Sequence, residues 1–407
     1  MTRAFPDGFI WGSATAAHQV EGGNVNSDFW AMEHAQPSLF VEPSDDATDQ
    51  YHRFADDMAI LSAIGLNAYR FSVEWARIQP EPDVWSEAAL DHYQRCVFAC
   101  LERGITPVVT LQHFTLPRWV ARRGGFHDPE FPDLFARYAE RAAGRLQGVP
   151  IWCTINELNV PLLFTGGLVK GRAKHPDRYA AAEAALGGPI HGCFVFADET
   201  RLKTIGVRAH RKAYDAVKAA RPEARVGLTL SIAEEVAEPG GEATREARLR
   251  RHYLDFMGDL GGDDFIGVQT YTRVTSKADG TAGPREGAPL TTMRYEDWPP
   301  AVAACCRWTW AQTGAPVIVT ESGLAEPGDL RRGDYVEEVL THLQAACAQG
   351  VPIGGYFYWS LLDNFEWFYG YAQKFGLVAV DRATQRRFIK PSALRLGAIA
   401  RANALPA

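Results

Sequence analysis

The stretch "EAALDHYQRCVFACLERGITPVVTLQ" (87–112) holds the repeating unit from which the fold is read. Its first part is a plausible helix over 87–104 that stops at Gly104, a residue suited to the left-handed backbone that ends helices. Its second part, "TPVVTLQ" (106–112), is a short β-rich run closing on polar residues. The same alternation recurs along the chain. β-rich runs lie at 9–15, 66–72, 106–112, 151–156, 224–231, 265–271, 316–322 and 353–360, eight in all. Helical stretches lie between them at 48–65, 133–146 and 335–350, the last two with apolar residues near three- and four-residue spacing, and Gly65 and Gly350 close helices as Gly104 does. Eight strand-helix alternations with no long linker predict an α/β fold, a single (β/α)8 TIM barrel spanning 1–407. A doubly wound sheet is the competitor. No GxGxxG follows a strand and no GxxxxGK(S/T) occurs, so the phosphate-binding fingerprints of that fold are missing.

Composition bounds the function. A 407-residue chain that is 46% hydrophobic buries a sizeable core, and a net charge of -7 offers no basic field to gather nucleic acid or anionic lipid. The start, "MTRAFPDGFIWGSATAAHQVEGG", places Pro6 and Gly8 where a signal peptide needs its apolar stretch, and no apolar run is long enough to cross a bilayer. Seven cysteines (Cys96, Cys100, Cys153, Cys193, Cys305, Cys306, Cys347) form an odd, unpatterned set. These features predict a cytoplasmic protein with free thiols that binds neither nucleic acid nor membrane. The sequence carries no signal for an oligomeric state.

In a (β/α)8 barrel the active site lies at the carboxyl ends of the strands. Arg70, His113, Asn156, Glu157, Tyr271, Glu321 and Trp359 all fall at or just beyond a predicted strand end. Taken alone, Glu157 in "TINELN" (154–159) reads as a loop residue facing solvent. Glu321 in "VIVTESG" ends an apolar β-branched strand, where an ionisable group must have partners. Two carboxylates facing each other over a barrel mouth are what glycoside hydrolysis needs, one protonated to help the leaving oxygen depart and one ionised to meet the oxocarbenium-like centre. The segment "GYFYWSLLDNFEWFYGYAQKFG" (355–376) mixes aromatic rings with Asp363, Asn364 and Glu366, which suits the apolar face and hydroxyl rim of a pyranose, although several of these rings belong to the core.

From "FPDGFIWGSATAAHQVEG" through "LNAYRFSVEWARI", "TPVVTLQHFTLPRW", "TINELN", "VIVTESG" and "GYFYWSLLDNFEW" to "FGLVAVD", the chain resembles glycoside hydrolase family 1, the β-glucosidase-like retaining enzymes, over nearly its whole length. The resemblance implies Glu157 as acid/base and Glu321 as nucleophile, with Arg70 and Tyr271 orienting the nucleophile. It implies Gln19, His113, Asn156, Glu366 and Trp367 as partners of the glycone hydroxyls, Trp359 as stacking floor and Phe375 as far wall. It further implies a cis peptide between Trp359 and Ser360, a small-molecule β-glycoside as substrate, and neither metal nor organic cofactor. Retaining chemistry sets the carboxyl groups about 5–5.5 Å apart. The acidic stretch "DDATDQYHRFADD" (45–57) lacks the glycine and closing glutamate of a calcium loop and reads as a capped, solvated helix start.

Several positions depart from the family pattern. Leu158 stands where proline usually follows the acid/base, Ser322 where asparagine follows the nucleophile, and Gln269-Thr270 where an Asn-Tyr pair is common. Arg294 and Tyr295, in "TTMRYEDWPP" (291–300), replace a Gly-Trp pair and mark a possible aglycone site. The stretches near 24–48 and 160–182 read as trimmed, which predicts a more open mouth. Asn364-Phe365-Glu366-Trp367 is retained, and a carboxylate at Glu366 repels a sugar phosphate, so a neutral glycone is expected. Two alternatives remain: a transglycosylating enzyme of the same fold, and a sugar-binding homologue that has lost turnover. The second is disfavoured because both carboxylates, Arg70 and Tyr271 are present.

Overall fold

The computed structural model describes residues 3–258 and 260–406. Its centre is a closed barrel of eight parallel strands, β1 (Ile10–Ala14), β2 (Ala68–Ser72), β3 (Thr106–Gln112), β4 (Ile151–Ile155), β5 (Arg225–Ser231), β6 (Phe265–Gln269), β7 (Val317–Ser322) and β8 (Ile353–Trp359). Each strand is followed by a helix of the outer ring: α1 (Gln50–Ile64), α2 (Glu87–Leu101), α3 (Phe131–Arg145), α4 (Val207–Ala220), α5 (Glu242–Leu249), α6 (Pro300–Thr313), α7 (Arg332–Ala348) and α8 (Pro391–Ala402). The single (β/α)8 barrel read from the sequence is therefore the observed fold. Gly65, Gly104 and Gly350 adopt the left-handed φ their reading as helix stops requires.

Neighbouring strands pair in sequence order, and the barrel is sealed by β1 against β8, in register from Ile10 opposite Gly355 to Ala14 opposite Trp359. Side chains alternate across the strands, so each strand feeds two cores. Ala14, Ala68, Val108, Ile151, Cys153, Phe265, Ile318 and Phe357 pack together as one cluster. Val109, Trp152, Val226, Val268, Val319 and Tyr356 belong to the larger one, with Leu90 and Val97 of α2, Phe135 and Tyr138 of α3, Val217 of α4, and Val339 and Leu343 of α7. Each such buried side chain contributes roughly 1.5–3 kcal/mol, and together they make a rigid frame for the rim.

One reading needs correction. Asp49 stands at the N-cap of α1 but makes no capping bond; its φ of 53° lies outside the extended region that aims a cap at the helix N–H groups. Its carboxylate instead pairs with His52 and Arg53. The stretch near 160–182 holds two helices, Val160–Lys174 and Pro176–Leu186. Small sheets, one of Glu234–Ala237, Arg273–Ser276 and Ala282–Gly283 and one of Val378–Asp381 and Arg386–Ile389, lie outside the barrel. Among the described residues no helix is long and apolar enough to cross a membrane.

Candidate active site

Arg70 rises from the interior of β2, fully buried, on the same face as Ala68. Its Nη1 donates to Glu321 Oε1 at 2.5 Å and its Nη2 to Asn156 Oδ1 at 2.5 Å. Glu321 takes two more bonds, from Gln269 Nε2 at 2.9 Å and from the Tyr271 hydroxyl to Oε2 at 2.6 Å. β7 slips register between Val319 and Glu321. Simple alternation from the inward Ile318 would turn Glu321 outward, and the bulge re-aims it into the mouth.

Glu157 sits two residues beyond β4 with φ 46°, and its backbone N–H donates to Thr229 Oγ1 at 3.1 Å. The two carboxylates feel each other. Burial pushes the Glu157 carboxyl well above the usual carboxylate range, and the charge of Glu321 pushes it further. Burial raises Glu321 as well, but there Arg70 and Tyr271 pull the other way. The unequal surroundings leave the proton on Glu157 and the charge on Glu321.

Around this pair lie the other residues read from the sequence. Asn156 Oδ1 is taken by Arg70 and by Gln269 Nε2 at 2.8 Å, so its amide N–H donates to His113 Nε2 at 3.0 Å. Burial holds His113 far below its usual pKa, hence neutral. Its ring stacks near Trp359 and Trp367, at centroid distances of 5.7 and 6.0 Å. Gln19 spends its amide N–H on Phe365 O at 2.6 Å, and its Oε1 is buried with no protein partner. Trp367, at φ 47°, lies parallel to His18, and Phe375 meets the Tyr271 ring at 5.9 Å. The Trp359–Ser360 peptide is cis, as the resemblance implied. Gly323 lets the chain after Glu321 pass under it: a Cβ there would lie 2.0 Å from Trp359 O.

Glu366 departs from expectation. Burial, with the charge of Glu321, raises its carboxyl to about 8, so near pH 7 it is largely protonated rather than a standing charge. Tyr295 reaches the site: its ring is 6.3 Å from Tyr271, and its hydroxyl is raised by burial and then by Glu366 and Glu157. Arg294, at φ 64°, is exposed on the same turn and makes no ion pair among the described residues. Gln269 was noticed in the sequence only as a departure, yet it bridges Glu321 and Asn156. Strand parity with the inward Phe265 was the signal for it. Among the described residues no group of three or more His, Cys, Asp or Glu is placed to hold a metal ion.

The comparisons with known proteins agree with this geometry. β-Glucosidase A of Thermotoga maritima is 31% identical over 99% of both chains, and thermostable β-glucosidase B of Thermobispora bispora is 33% identical over 99% of this chain and 92% of its own. The crystal structure of the β-glycosidase BGL167 superposes with a TM-score of 0.93 at 44% identity, covering 99% of this chain and 98% of that one. The Thermotoga maritima β-glucosidase in complex with deoxynojirimycin superposes at 0.87 with 26% identity over all of both chains. The family model for glycosyl hydrolase family 1 matches residues 1–279 and 264–405. With a barrel of the right topology, two carboxylates in unequal surroundings and a match that spans the chain, this protein belongs to glycosyl hydrolase family 1 and is a glycoside hydrolase.

Proposed function

We propose that the protein is a retaining β-glycosidase acting on neutral sugars, with β-glucosides its leading substrates. Glu321 attacks the anomeric carbon while Glu157 gives its proton to the departing oxygen; water, deprotonated by Glu157, then releases the sugar from Glu321. The observation that carries this reading is the asymmetry of the pair: Glu321 accepts from Arg70, Gln269 and Tyr271, whereas burial keeps the proton on Glu157. Gln19, His113, Asn156, Glu366 and Trp367 would meet the glycone hydroxyls over Trp359, with Phe375 as far wall. A sugar phosphate is disfavoured less by charge at Glu366, which keeps its proton, than by the desolvation its dianion would suffer there. Tyr295 would supply the aglycone-side ring, and the exposed Arg294 beside it supports an open outer rim. Seven free cysteines fit a reducing, cytoplasmic setting.

The test is a panel of 4-nitrophenyl β-glycosides differing at C2, C4 and C6, run on the parent and on Glu321→Gln. The parent turns over the gluco compound, and the variant loses that activity by at least ~10⁴-fold. Equal rates for parent and variant would remove Glu321 as nucleophile.

A further inference from the structure

The turn that carries Glu157 is held from three directions. On β5, Thr229 accepts the Glu157 N–H on its hydroxyl at 3.1 Å, and its carbonyl lies 3.4 Å from the Leu158 N–H. The Asn159 amide grips the same strand: Oδ1 accepts from Ser231 N at 2.9 Å and Nδ2 donates to Ser231 O at 2.7 Å, with a further bond to His252 O at 3.1 Å. On the third side the Leu158 side chain, fully buried, fills the slot beside Gly206, where an added Cβ would come within 2.7 Å of it.

Three features mark this grip as more than packing. Glu157 occupies the left-handed region at φ 46°, which a non-glycine residue keeps only when its surroundings over-determine it. Asn159 is the N-cap residue of the helix Val160–Lys174, where asparagine ordinarily bonds its own helix; here it makes no capping bond and spends its amide on the neighbouring strand β5. Both π-helical turns among the described residues, Leu202–Gly206 and Arg250–Leu254, abut this turn, the first supplying the Gly206 slot and the second the His252 carbonyl. Such turns are rare and concentrate at functional sites.

We propose that Asn159, together with Thr229, is a positioning residue for the proton donor, fixing the Glu157 carboxyl against the departing oxygen. The proposal rests on the reading of Glu157 as acid/base. Proton transfer in the transition state needs its partners at hydrogen-bond distance, so a loosened turn costs rate in proportion to how much the leaving group needs a proton. A merely structural rivet would cost every substrate alike.

The experiment compares kcat/KM for an alkyl β-glucoside, whose leaving group needs the acid, with that for 2,4-dinitrophenyl β-glucoside, whose leaving group does not. Asn159→Ala is expected to lose about 10- to 100-fold on the first and less than about threefold on the second. Azide is expected to raise its kcat on the dinitrophenyl compound, replacing the water that Glu157 no longer activates well. Thr229→Val is expected to show the same split and Thr229→Ser to restore the parent pattern, a pair that serves if Asn159→Ala does not fold. Equal losses on both substrates, or no loss on either, overturn the proposal. Glu157→Gln is the reference: if it shows no dependence on the leaving group, the acid/base reading itself fails, and the proposal with it.

Discussion

One guanidinium spans the barrel mouth: Arg70 donates to Glu321 Oε1 from Nη1 and to Asn156 Oδ1 from Nη2, both at 2.5 Å. The same side chain thus bears on the charge of Glu321 and on the facing of the amide next to Glu157. With Oδ1 occupied by Arg70 and Gln269, the Asn156 amide turns its N–H to His113 Nε2.

Arg70→Lys keeps a charge but not the fork, so one of the two bonds is lost. The expected fall in kcat on 4-nitrophenyl β-glucoside is about 10²- to 10³-fold. Arg70→Met leaves Glu321 buried without its cation, and urea unfolding should report a loss of about 3–5 kcal/mol.

The pH profile of kcat/KM should be a bell whose alkaline limb is the loss of the Glu157 proton, above the usual carboxylate range because burial and Glu321 raise it. Tyr271→Phe removes a donor that lowers the Glu321 pKa. Glu321 must be ionised to attack, so the acid limb moves to higher pH while activity falls. An acid limb that stays in place would mean that another group sets it.

Gly323→Ala puts a methyl group against Trp359 O, where the ideal Cβ lies 2.0 Å away. The backbone must shift between Glu321 and Trp359. The expected cost is about 1–3 kcal/mol of stability, with a loss of activity larger than any effect of Gly283→Ala, where nothing lies within 4 Å.

Asp28, buried and accepting from the N–H groups of Phe29 and Leu116, has its carboxyl raised by desolvation from 3.8 to about 7. The folded state therefore binds a proton that the unfolded state releases, and this contribution is fully present below about pH 4 and lost as pH rises through 7. Asp28→Asn should flatten the decline of stability between those values by roughly 4 kcal/mol at most, read by urea unfolding across the pH range.

The barrel was legible because each strand is a short apolar run ending in polar or aromatic residues, and all eight observed strands fall inside the predicted runs. Arg70 and Glu157 were legible once the barrel was read, as charged groups near the carboxyl ends of its strands. What stayed hidden has physical reasons. The bulge that turns Glu321 inward leaves no mark in a period-two pattern. Asn159 carries no signal in the spacing, because its use rests on the long-range contact with Ser231. Glu366 reads as a charge because ionisation depends on burial, which sequence spacing does not supply. Arg294 and Tyr295 are adjacent in sequence, yet the turn exposes the first and half-buries the second.

The seam between β1 and β8 has a consequence for the making of the protein. Gln19, just past the first strand, meets Asn364, 345 positions later, so this wall of the barrel mouth is built from the first and last thirds of the chain. A ribosome that has delivered both Glu157 and Glu321 still carries an unsealed sheet with that wall missing, and slow closure is expected of contacts so distant. Competence arrives with the final strand, and a chain interrupted before it would hold the chemistry without a place to perform it.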